Sequence, residues 1–377
     1  MKKKKFIIAT TVPISLYFFK GQIQELKKKF EVILVSSPGV LLKDICKAEK
    51  VDGFPVSMKR EISLYSDIIS LFSMIKLFRK IKPDVVHGNT PKGGLISMFA
   101  AWFNRVPTRI YYIHGLRYQE TNGVKRKLLV NMERLSCFFS THVYAVSFGV
   151  KKMLKEDKIT KKKVCIIGNG SVNGIDTSFF SIENNNVFDI RNSLGLTTKN
   201  FVFGFVGRLV KDKGINELVE AFSQINRLKP ESRLLLVGNF ENGDPIDIDI
   251  KNIISNNKSI IAVGFQKDVR SYYKAMDVFV FPSYREGFGI SLMEAAAMGI
   301  PSISTDIIGC NEIISDGYNG ILIKPKSVEK LFEAMKMLIS DKAIINNMAE
   351  VSRKYVENKY EQKKLWEKTL ESYSSIS

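Results

Sequence analysis

Short apolar segments alternate with longer amphipathic segments along the whole chain, and this alternation restricts the fold more than any other feature. Segments such as residues 5–10, 201–206 and 277–281 have strand length and are rich in β-branched and aromatic residues. Helix-length segments such as residues 65–81 and 215–228 separate the apolar segments. Strands joined by helices of this length form βαβ units with parallel strands. We therefore predict an α/β protein.

The predicted elements fall into two similar series. The first series has predicted strands at residues 5–10, 32–36, 84–87, 109–113, 142–146 and 164–167 and predicted helices at residues 16–30, 65–81, 90–104 and 125–139. The second has predicted strands at residues 201–206, 233–237, 260–263, 277–281, 300–304 and 320–323 and predicted helices at residues 215–228, 268–275, from about 290, 328–340, 344–358 and 362–373. Two such series predict two doubly wound, Rossmann-like domains that face a cleft, with ligands at the carboxyl ends of the strands.

The length and one linker-like stretch set the predicted domain boundaries. A chain of 377 residues is long enough for two domains. The stretch GNGSVNGID, residues 168–176, is dense in Gly, Asn and Ser, which is typical of a linker. We predict an N-terminal domain of residues 1–175, a C-terminal domain of residues 176–358, and a C-terminal helix in residues 359–377 that packs back on the first domain.

Basic residues are concentrated in the first half of the chain. Residues 1–175 contain 32 Lys and Arg against 12 Asp and Glu, a balance of +20, so the remainder has a balance of −1 within the total of +19. This charge suits an anionic membrane surface, a polyanionic substrate or nucleic acid. A lysine-rich solubilising surface is the alternative.

The N-terminal sequence MKKKKFIIATTVPISLYFF has a basic part and an apolar part, as a signal peptide does. Thr10, Thr11, Pro13 and Ser15 interrupt the apolar part, and no small-residue cleavage site follows it. We therefore interpret residues 5–10 as the first strand of a sheet. No stretch of the sequence is long and apolar enough to span a bilayer.

The stretch EGFGISLMEAAAMGIP, residues 286–301, is a candidate binding site. Gly287 and Gly289 allow the backbone to approach a ligand, and a helix predicted to begin near Ile290 presents N–H groups that suit a phosphate. Glu286 and Glu294 bracket the turn, and an ionised carboxylate accepts hydrogen bonds from sugar hydroxyls. Together these features indicate a nucleotide sugar or a sugar phosphate. An ordinary strand–turn–helix unit is the alternative.

The stretch GRLVKDKG, residues 207–214, supplies cations directly after an apolar strand. Arg208 and Lys213 lie at the carboxyl end of that strand. A guanidinium and an ammonium there can hold a diphosphate and neutralise the charge that grows as it leaves. Two surface cations in a loop are the alternative, and the presence of Glu286 in the same domain favours the diphosphate site.

These motifs resemble those of the retaining glycosyltransferases of family 4, which have the GT-B fold. GRLVKDKG, LLLVG (234–238), VGF (263–265) and FVFPSYREGFGISLMEAAAMGIPSISTD (279–306) carry the resemblance, and Glu286 and Glu294 have the family's E-x7-E spacing. In the first half HGNTPKGG (87–94), YYIHGL (111–116), KRKLL (125–129) and GNGSVNGID resemble the branch that builds capsule and O-antigen polysaccharides. The resemblance covers nearly the whole chain, and the ordered series makes it specific.

The resemblance implies a role for each matching residue. Arg208 and Lys213, with Gly207, would bind the donor diphosphate, and Glu294 would hold the ribose hydroxyls. The other implied donor contacts are Glu286, Gly287, Phe288 and Gly289 on the transferred sugar and Gly238 and Phe265 near the base. His114 of the first domain would face the sugar and complete a catalytic set with Glu286, Arg208 and Lys213. Transfer with retention would rest on leaving-group stabilisation and positioning, without a metal ion or a cofactor.

The acceptor side is less explicit in the sequence. Relatives carry a paired-glycine loop after the first strand, whereas this chain reads TTVPISLYFFKGQ there. Thr90, Lys92, Gly93 and Gly94 open a predicted helix. They form either an anion seat for the pyrophosphate of a polyprenyl-linked acceptor or a helix cap with Pro91 near the first turn. Two other histidines, His87 and His142, are not assigned a role in binding.

No metal site is predicted. The four cysteines lie far apart without a Cys-x-x-Cys pair, which disfavours a zinc site or a disulfide framework and fits a reducing compartment (Cys46, Cys137, Cys165 and Cys310). Asp247-Ile248-Asp249 spells D-x-D, the metal motif of a different glycosyltransferase fold. It lies in a polar insert that we interpret as a solvated loop.

We predict a retaining glycosyltransferase that moves an N-acetylhexosamine or a hexose from a UDP-sugar to a polyprenyl-diphosphate-linked saccharide in bacterial surface polysaccharide synthesis. Its basic half, including Lys59-Arg60, residues 65–82 and residues 125–127, is predicted to bind the anionic inner face of the cytoplasmic membrane peripherally. The alternatives are a GT-B enzyme with a soluble sugar acceptor, a nucleotide-sugar sensor and a basic nucleic-acid-binding protein. No nucleic-acid-binding module accompanies the charge, so we expect no nucleic-acid partner.

Overall fold

The computed structural model describes residues 2–59, 61, 63–119, 121–184, 186–241 and 243–377. The chain divides into two compact units, one holding the residues up to Gly174 together with Gln362–Ser377, the other holding Ile175–Glu361. The sequence analysis placed these divisions at residues 175 and 358. Each unit contains its own parallel sheet with helices between successive strands. The predicted fold class, two doubly wound α/β units, is confirmed.

The described residues of the first unit form a seven-stranded sheet. Its strands are β1 Lys4–Ala9, β2 Phe30–Ser36, β3 Asp52–Pro55, β4 Val85–Asn89, β5 Thr108–Ile113, β6 His142–Ala145 and β7 Val164–Cys165. Their order is β3-β2-β1-β4-β5-β6-β7, and all neighbours are parallel. Phe6, Ile7 and Ile8 of β1 are fully buried, as expected for a strand covered on both faces. The order reverses between β1 and β4, which places a crevice at their carboxyl ends.

The helices of the first unit follow the prediction only in part. They are α1 Gln22–Leu26, α2 Val40–Glu49, α3 Leu64–Ile81, α4 Pro91–Phe103, α5 Gly123–Phe139 and α6 Phe148–Glu156. The predicted helices at residues 65–81, 90–104 and 125–139 are confirmed as α3, α4 and α5. The sequence analysis did not predict α2, β3 or α6. Helix α4 packs between α3 and α5.

The helix predicted at residues 16–30 is wrong as a single element. The structure has a 3₁₀ helix at Pro13–Phe19, then Gly21, then the short helix α1. The fixed φ of Pro13 favours a helix start at that residue. Gly21 has a φ of 79°, and a Cβ there would lie 2.5 Å from Cη2 of Trp366. The chain turns at Gly21 because only glycine fits this conformation and this close contact.

The described residues of the second unit form a six-stranded sheet. Its strands are β8 Phe201–Val206, β9 Ser232–Val237, β10 Ile260–Ala262, β11 Val278–Phe281, β12 Ser302–Thr305 and β13 Gly320–Ile323. The order is β10-β9-β8-β11-β12-β13 with parallel neighbours. It reverses between β8 and β11. We call the space at the carboxyl ends of these two strands, lined by residues 207–214 and 282–289, the second-unit crevice.

One helix of the second unit corrects the interpretation of the D-x-D sequence. The helices are α7 Ile215–Leu228, α8 Ile248–Asn256, α9 Arg270–Lys274, α10 Ile290–Ala297, α11 Val328–Ser340 and α12 Lys342–Tyr360. Asp247 is the N-cap residue of α8 and accepts from Lys211 Nζ at 3.2 Å and Asn216 Nδ2 at 2.8 Å. Asp249 lies in the first turn, where a carboxylate stabilises a helix. Both aspartates are exposed, as predicted, but they begin a helix and do not lie in a loop.

The last helix, α13 Gln362–Ile376, belongs to the first unit. Trp366 Nε1 donates to Asn173 Oδ1 at 2.7 Å, and the hydroxyls of Ser372 and Tyr144 lie 2.7 Å apart. Tyr373 is buried, and its hydroxyl lies 2.8 Å from His87 Nε2. This helix therefore contributes side chains to the core beside β4 and β6.

Candidate active site

Glycines determine the shape of the second-unit crevice. A Cβ at Gly214 would lie 2.1 Å from the carbonyl oxygen of Pro282, and a Cβ at Gly238 would lie 1.8 Å from that of Gly207. Gly214 and Gly238 have φ values of 71° and 145°, which other residues rarely adopt. These glycines bring the loop after β8 against the ends of β9 and β11.

Arg208 lies in this loop with its guanidinium accessible. The side chain is 51% exposed, Nη1 donates to Glu241 Oε2 at 3.0 Å, and Nη2 lies 3.9 Å from Asp212 Oδ1. Exposed ion pairs of this kind contribute about 0–1 kcal/mol. Because these partners hold the guanidinium only weakly, an anionic ligand could replace them.

Lys213 and Glu286 form an ion pair in the crevice. The ammonium contacts Glu286 Oε1, and the two side chains are 14% and 13% exposed. Ser283 Oγ also donates to Glu286 Oε1, at 3.0 Å. Lys213 Nζ lies 5.5 Å from the centre of the Phe281 ring. The two residues assigned separately to diphosphate and sugar are thus paired, and a diphosphate here would share Lys213 with Glu286 or replace Glu286.

Glu294 lies on α10, and its carboxylate is held by a buried tyrosine. The Tyr273 hydroxyl donates to Glu294 Oε2 at 2.9 Å. Burial raises the pKa of Glu294 to about 7, and the hydrogen bond from Tyr273 acts in the opposite direction. Near neutral pH the group therefore exists in both protonation states. The ionised state accepts two or more hydrogen bonds from hydroxyls.

The turn before α10 uses part of its backbone within the protein. Gly289 N–H donates to the carbonyl oxygen of Gly309 at 3.1 Å. The Phe288 side chain is only 8% exposed and packs edge-on against Tyr360 with ring centres 5.3 Å apart. Gly289 N–H and the Phe288 ring are therefore occupied internally. The groups of this turn that could still contact a sugar are Glu286 and the backbone of Gly287, and these contacts stay a prediction.

Phe265 lies beyond the carboxyl end of β10 with its ring 71% exposed. Its N–H donates to Asn239 Oδ1 at 2.9 Å, and Gly238 N–H donates to the carbonyl oxygen of Gly264 at 2.9 Å. An exposed aromatic ring on a backbone fixed in this way offers a stacking surface for a base. This position agrees with the predicted place of a nucleoside.

In the first unit, His114 follows β5 and is held by a neighbouring strand. Its Nε2 lies 2.8 Å from Oδ1 of Asn89, the last residue of β4. The rings of Phe18 and Tyr112 have centres 5.1 and 5.0 Å from that of the imidazole. Burial lowers the pKa of His114 to about 3, so the ring is neutral at physiological pH.

The four residues predicted to meet an acceptor pyrophosphate make internal contacts. Lys92 is 6% exposed, and its ammonium pairs with Asp67 Oδ1 at 2.7 Å. Gly93 N–H donates to Thr11 Oγ1 at 2.9 Å, and Gly94 N–H donates to the carbonyl oxygen of Thr90 at 2.7 Å. These contacts match the helix-cap alternative with a proline at the first turn. Lys92 fixes α4 to α3, and we do not carry it into the proposed acceptor site.

Comparison with known proteins assigns the family. The model described as Glycosyltransferase Family 4 matches residues 21–178, and the model described as Glycosyl transferases group 1 matches residues 186–362. The capsular polysaccharide biosynthesis glycosyltransferase CapM of Staphylococcus aureus is 35% identical over 100% of this chain and 98% of its own length. This chain belongs to the family 4 glycosyltransferases. The resemblance found in the sequence motifs is confirmed.

Two further similarities concern this glycosyltransferase as a whole. The UDP-Gal:alpha-D-GlcNAc-diphosphoundecaprenol alpha-1,3-galactosyltransferase of Escherichia coli is 28% identical over 88% of this chain and 85% of its own length. The crystal structure of HepE from Anabaena in complex with UDP-glucose has a TM-score of 0.81 at 19% identity, covering 99% of this chain and all of the other. This second similarity shows a shared fold.

The glycosyltransferase has site residues that the sequence analysis missed. Tyr273 holds Glu294, and Ser283 holds Glu286. Ser283 lies only three positions before Glu286, so its proximity was a usable signal. Asn89 lies within the HGNTPKGG motif but was not singled out. Tyr273 is separated from Glu294 by 21 positions, and nothing in the sequence pairs them.

Proposed function

We propose that this glycosyltransferase moves a hexose or an N-acetylhexosamine, with retention, from a UDP-sugar to a polyprenyl-diphosphate-linked saccharide in bacterial capsule or related polysaccharide synthesis. The observation that carries the proposal is the second-unit crevice, which contains both Arg208 and the Lys213–Glu286 ion pair. Two relatives support the substrates. One is named for capsular polysaccharide biosynthesis and the other for galactosyl transfer to GlcNAc-diphosphoundecaprenol.

The proposed chemistry depends on the leaving group. Arg208 and Lys213 bind the diphosphate and stabilise the negative charge that develops as the bond to the anomeric carbon breaks. Glu286 accepts hydrogen bonds from the sugar, and Glu294 accepts them from the ribose. The uracil ring stacks near Phe265. We propose that these two cations neutralise the diphosphate without a metal ion.

Retention follows in this proposal from attack on one face of the sugar. The oxygen of the acceptor hydroxyl forms the new bond to the anomeric carbon on the side that the diphosphate leaves, and its proton passes to the departing phosphate oxygen. Positioning of the two reactants and stabilisation of the leaving group supply the rate enhancement. No protein nucleophile is needed.

The helices α3, α4 and α5 support binding to a membrane surface. They expose large apolar side chains, between 45% and 83% accessible, at Leu64, Tyr65, Ile68, Ile69, Phe72, Trp102, Phe103, Val124, Leu128, Leu135 and Phe138. Lys76, Arg79 and Lys80 lie on the same α3, and Lys125, Arg126 and Lys127 lie on α5. Apolar and basic side chains together suit an anionic interface. We propose peripheral binding at the inner face of the cytoplasmic membrane.

Two observations limit how the membrane proposal is drawn. Among the described residues, no helix is long and apolar enough to cross a membrane. Of the predicted contacts at Lys59-Arg60, Arg60 lies outside the described residues. The proposal therefore rests on α3 to α5 and not on the segment before α3.

One experiment tests the reaction as a whole. The purified protein is incubated with a panel of nucleotide sugars and a bacterial lipid extract, and the lipid products are identified by mass spectrometry. We expect a lipid diphosphate extended by one sugar from a UDP-linked donor, unchanged when EDTA is added. Products found only on soluble sugars would overturn the acceptor assignment.

Two variants test the assigned site in the same assay. We expect Arg208→Ala and Glu286→Ala to lose most of the turnover, because each removes a side chain that is proposed to contact the diphosphate or the transferred sugar. Lys330→Ala, on the exposed face of α11, is the matched control and keeps turnover. Near-normal turnover in both site variants would overturn the site.

A further inference from the structure

Four side chains of the first unit form a hydrogen-bonded series that ends at His114, which we call the histidine network. The Tyr373 hydroxyl lies 2.8 Å from His87 Nε2, His87 Nδ1 lies 2.9 Å from Asn89 Nδ2, and Asn89 Oδ1 lies 2.8 Å from His114 Nε2. His87 and Asn89 are fully buried, and Tyr373 is 2% exposed. Side chains of strand β4 and helix α13 thus belong to the same hydrogen-bonded series as His114, the residue after β5.

Two backbone carbonyls fix the orientation of the Asn89 amide. Its Nδ2 lies 3.0 Å from the carbonyl oxygen of His87 and 3.3 Å from that of Ala9. Carbonyl oxygens only accept hydrogen bonds, so the NH₂ group must face them. The amide oxygen therefore faces His114 and cannot exchange places with the nitrogen.

This orientation determines the tautomers of both histidines. The Asn89 oxygen only accepts, so His114 Nε2 carries a proton and donates it to that oxygen. The Asn89 NH₂ group only donates, so His87 Nδ1 is unprotonated and His87 Nε2–H donates to Tyr373. Burial lowers the pKa of each imidazole to about 3, and His114 lowers that of His87 further, so both rings are neutral.

The remaining nitrogen of His114, Nδ1, is buried and has no hydrogen-bond partner among the described residues. Buried polar atoms are rarely left unpaired. The packed rings of Phe18 and Tyr112 oppose rotation of the imidazole toward another partner. Because Nδ1 bears a lone pair in this tautomer, a group that completes the site must be a hydrogen-bond donor, and the fully ionised diphosphate of a nucleotide sugar is not one.

We propose that Asn89 is a positioning residue that holds His114 as the neutral Nε2–H tautomer, so that Nδ1 accepts a hydrogen bond from a substrate hydroxyl. His87 holds the amide of Asn89, and Tyr373 anchors His87 from the C-terminal helix. The tautomer depends only on Asn89 and on the two backbone carbonyls that orient its amide. The assignment of the hydroxyl to the sugar substrate rests on the proposed function.

Nuclear magnetic resonance of the full-length protein with ¹⁵N-labelled histidine tests the tautomer. The chain has three histidines, so His87→Gln, His114→Gln and His142→Gln each assign one signal set. We expect His114 as the Nε2–H tautomer with no titration between about pH 6 and 8. A His114 signal of the Nδ1–H tautomer, or titration in this range, would overturn the proposal.

Substitutions of Asn89 separate positioning from folding. Asn89→Ala is expected to give a mixture of His114 tautomers. Asn89→Asp places a carboxylate beside Nε2 and is expected to move the His114 titration upward into the measured range. The matched control is Asn104→Ala, since Asn104 also donates to two backbone carbonyls of the first unit, and no hydrogen bond among the described residues joins it to a histidine. An unchanged His114 signal in both Asn89 variants would contradict the proposal.

A ligand titration tests the acceptor role independently. UDP-glucose and UDP-N-acetylglucosamine are added in turn, together with any donor that the product assay identifies. Saturation with the donor that is turned over is expected to shift His114 Nδ1, and Asn89→Ala is expected to lower kcat about tenfold, the factor of one lost hydrogen bond. An unshifted Nδ1 at saturation would overturn the acceptor role. If no UDP-sugar is turned over, the proposed function is wrong. The nuclear magnetic resonance measurement of the His114 tautomer still tests the role of Asn89 independently.

Discussion

The pairing of Lys213 with Glu286 gives both residues a role in the stability of the ligand-free protein. Both side chains are mostly buried, and Ser283 supplies one further hydrogen bond to the carboxylate. Removing one partner leaves the other charge largely desolvated, which costs more than the pair itself contributes. In the proposed site a diphosphate would share Lys213 with Glu286 or replace Glu286, and either change would couple the two parts of the donor.

We expect Lys213→Met to lower the free energy of unfolding by about 1–3 kcal/mol, because Glu286 then remains buried without its cation. Lys213→Met combined with Glu286→Gln is expected to restore most of this loss, while turnover stays absent in both. Urea unfolding midpoints measure the effect. Lys330→Met, which breaks an exposed ion pair on α11, is the control. A loss in Lys213→Met no larger than in that control would contradict the expectation.

Glu294 and Glu133 each accept a hydrogen bond from a buried tyrosine, although Glu133 is buried and Glu294 is partly exposed. Glu133 of α5 accepts from the Tyr111 hydroxyl at 2.7 Å, and Glu294 accepts from the Tyr273 hydroxyl at 2.9 Å. Burial raises the pKa of each carboxyl group to about 7. Only Glu294 lies in the predicted donor site. Comparing variants of these two glutamates therefore separates the effect of the raised pKa on stability from the effect of donor binding.

Both carboxyl groups make stability fall as pH rises. The unfolded chain loses these protons near pH 4.3, and the folded chain keeps them to about pH 7. Between these values the folded state holds more protons, so the free energy of unfolding decreases with pH. We expect Glu133→Gln and Glu294→Gln each to flatten this decrease in unfolding measured from pH 5 to 8, and only Glu294→Gln to weaken donor binding. A pH slope equal to that of the unchanged protein in both variants would contradict the shifted pKa values.

At the scale of elements, glycines allow the loop after β8 to meet β11. Gly214 and Gly195 share nearly the same backbone conformation, with φ of 71° and 68°. A Cβ at Gly214 would lie 2.1 Å from the Pro282 carbonyl oxygen, whereas nothing lies within 4 Å of a Cβ at Gly195. We expect Gly195→Ala to cost about 1–2 kcal/mol through its backbone alone. Gly214→Ala is expected to cost clearly more and to abolish turnover, as urea unfolding and the product assay would show. Equal losses would contradict a role for close contact.

Helix α3 exposes several of its large apolar residues. Its buried residues are Ser70, Met74, Phe78 and Ile81, while Leu64 and Phe72 are 81% and 67% exposed. We expect Leu64→Gln with Phe72→Gln to reduce binding to vesicles that contain phosphatidylglycerol by at least about tenfold, because each side chain contributes up to about 1.5–3 kcal/mol when buried. Vesicle flotation measures this change.

The control for α3 lies in the second unit. Ile182→Gln with Phe188→Gln changes two residues that are also exposed, 52% and 66%, and is expected to leave flotation unchanged. An equal loss of vesicle binding in the two double variants would show that general surface hydrophobicity, not α3, determines the binding.

At the scale of the whole molecule, the charge of +20 in residues 1–175 predicts salt-dependent membrane binding. Raising the salt concentration from about 0.1 M to 1 M shortens the Debye length from about 10 Å to 3 Å. We expect vesicle binding to fall over this range but not to disappear. The binding that remains at high salt is expected to be absent in the α3 double variant. Flotation with and without phosphatidylglycerol checks the electrostatic part. Absence of binding at low salt would rule out the membrane proposal.

Sequence reasoning identified local site motifs more completely than contacts between distant residues. Arg208 comes shortly after β8 and Glu286 lies in the turn between β11 and α10, so the strand pattern and the neighbouring glycines were enough to select them. The pairing of Lys213 with Glu286 spans 73 positions and depends on which strands are neighbours. Lys92 was selected as an anion contact because its sequence resembles an exposed helix start. Its partner Asp67 belongs to a different helix.

The sequence by itself determined the fold class, the family and the order of the site motifs, because hydrophobic period and turn chemistry are local properties of the chain. Tertiary structure alone decided the partners of each charged or polar group. The His114 tautomer shows the difference, since it depends on Asn89 of β4 and on the carbonyls of Ala9 and His87 that orient its amide. Such contacts form only when strand order and helix packing bring distant residues together, and no local pattern records that order.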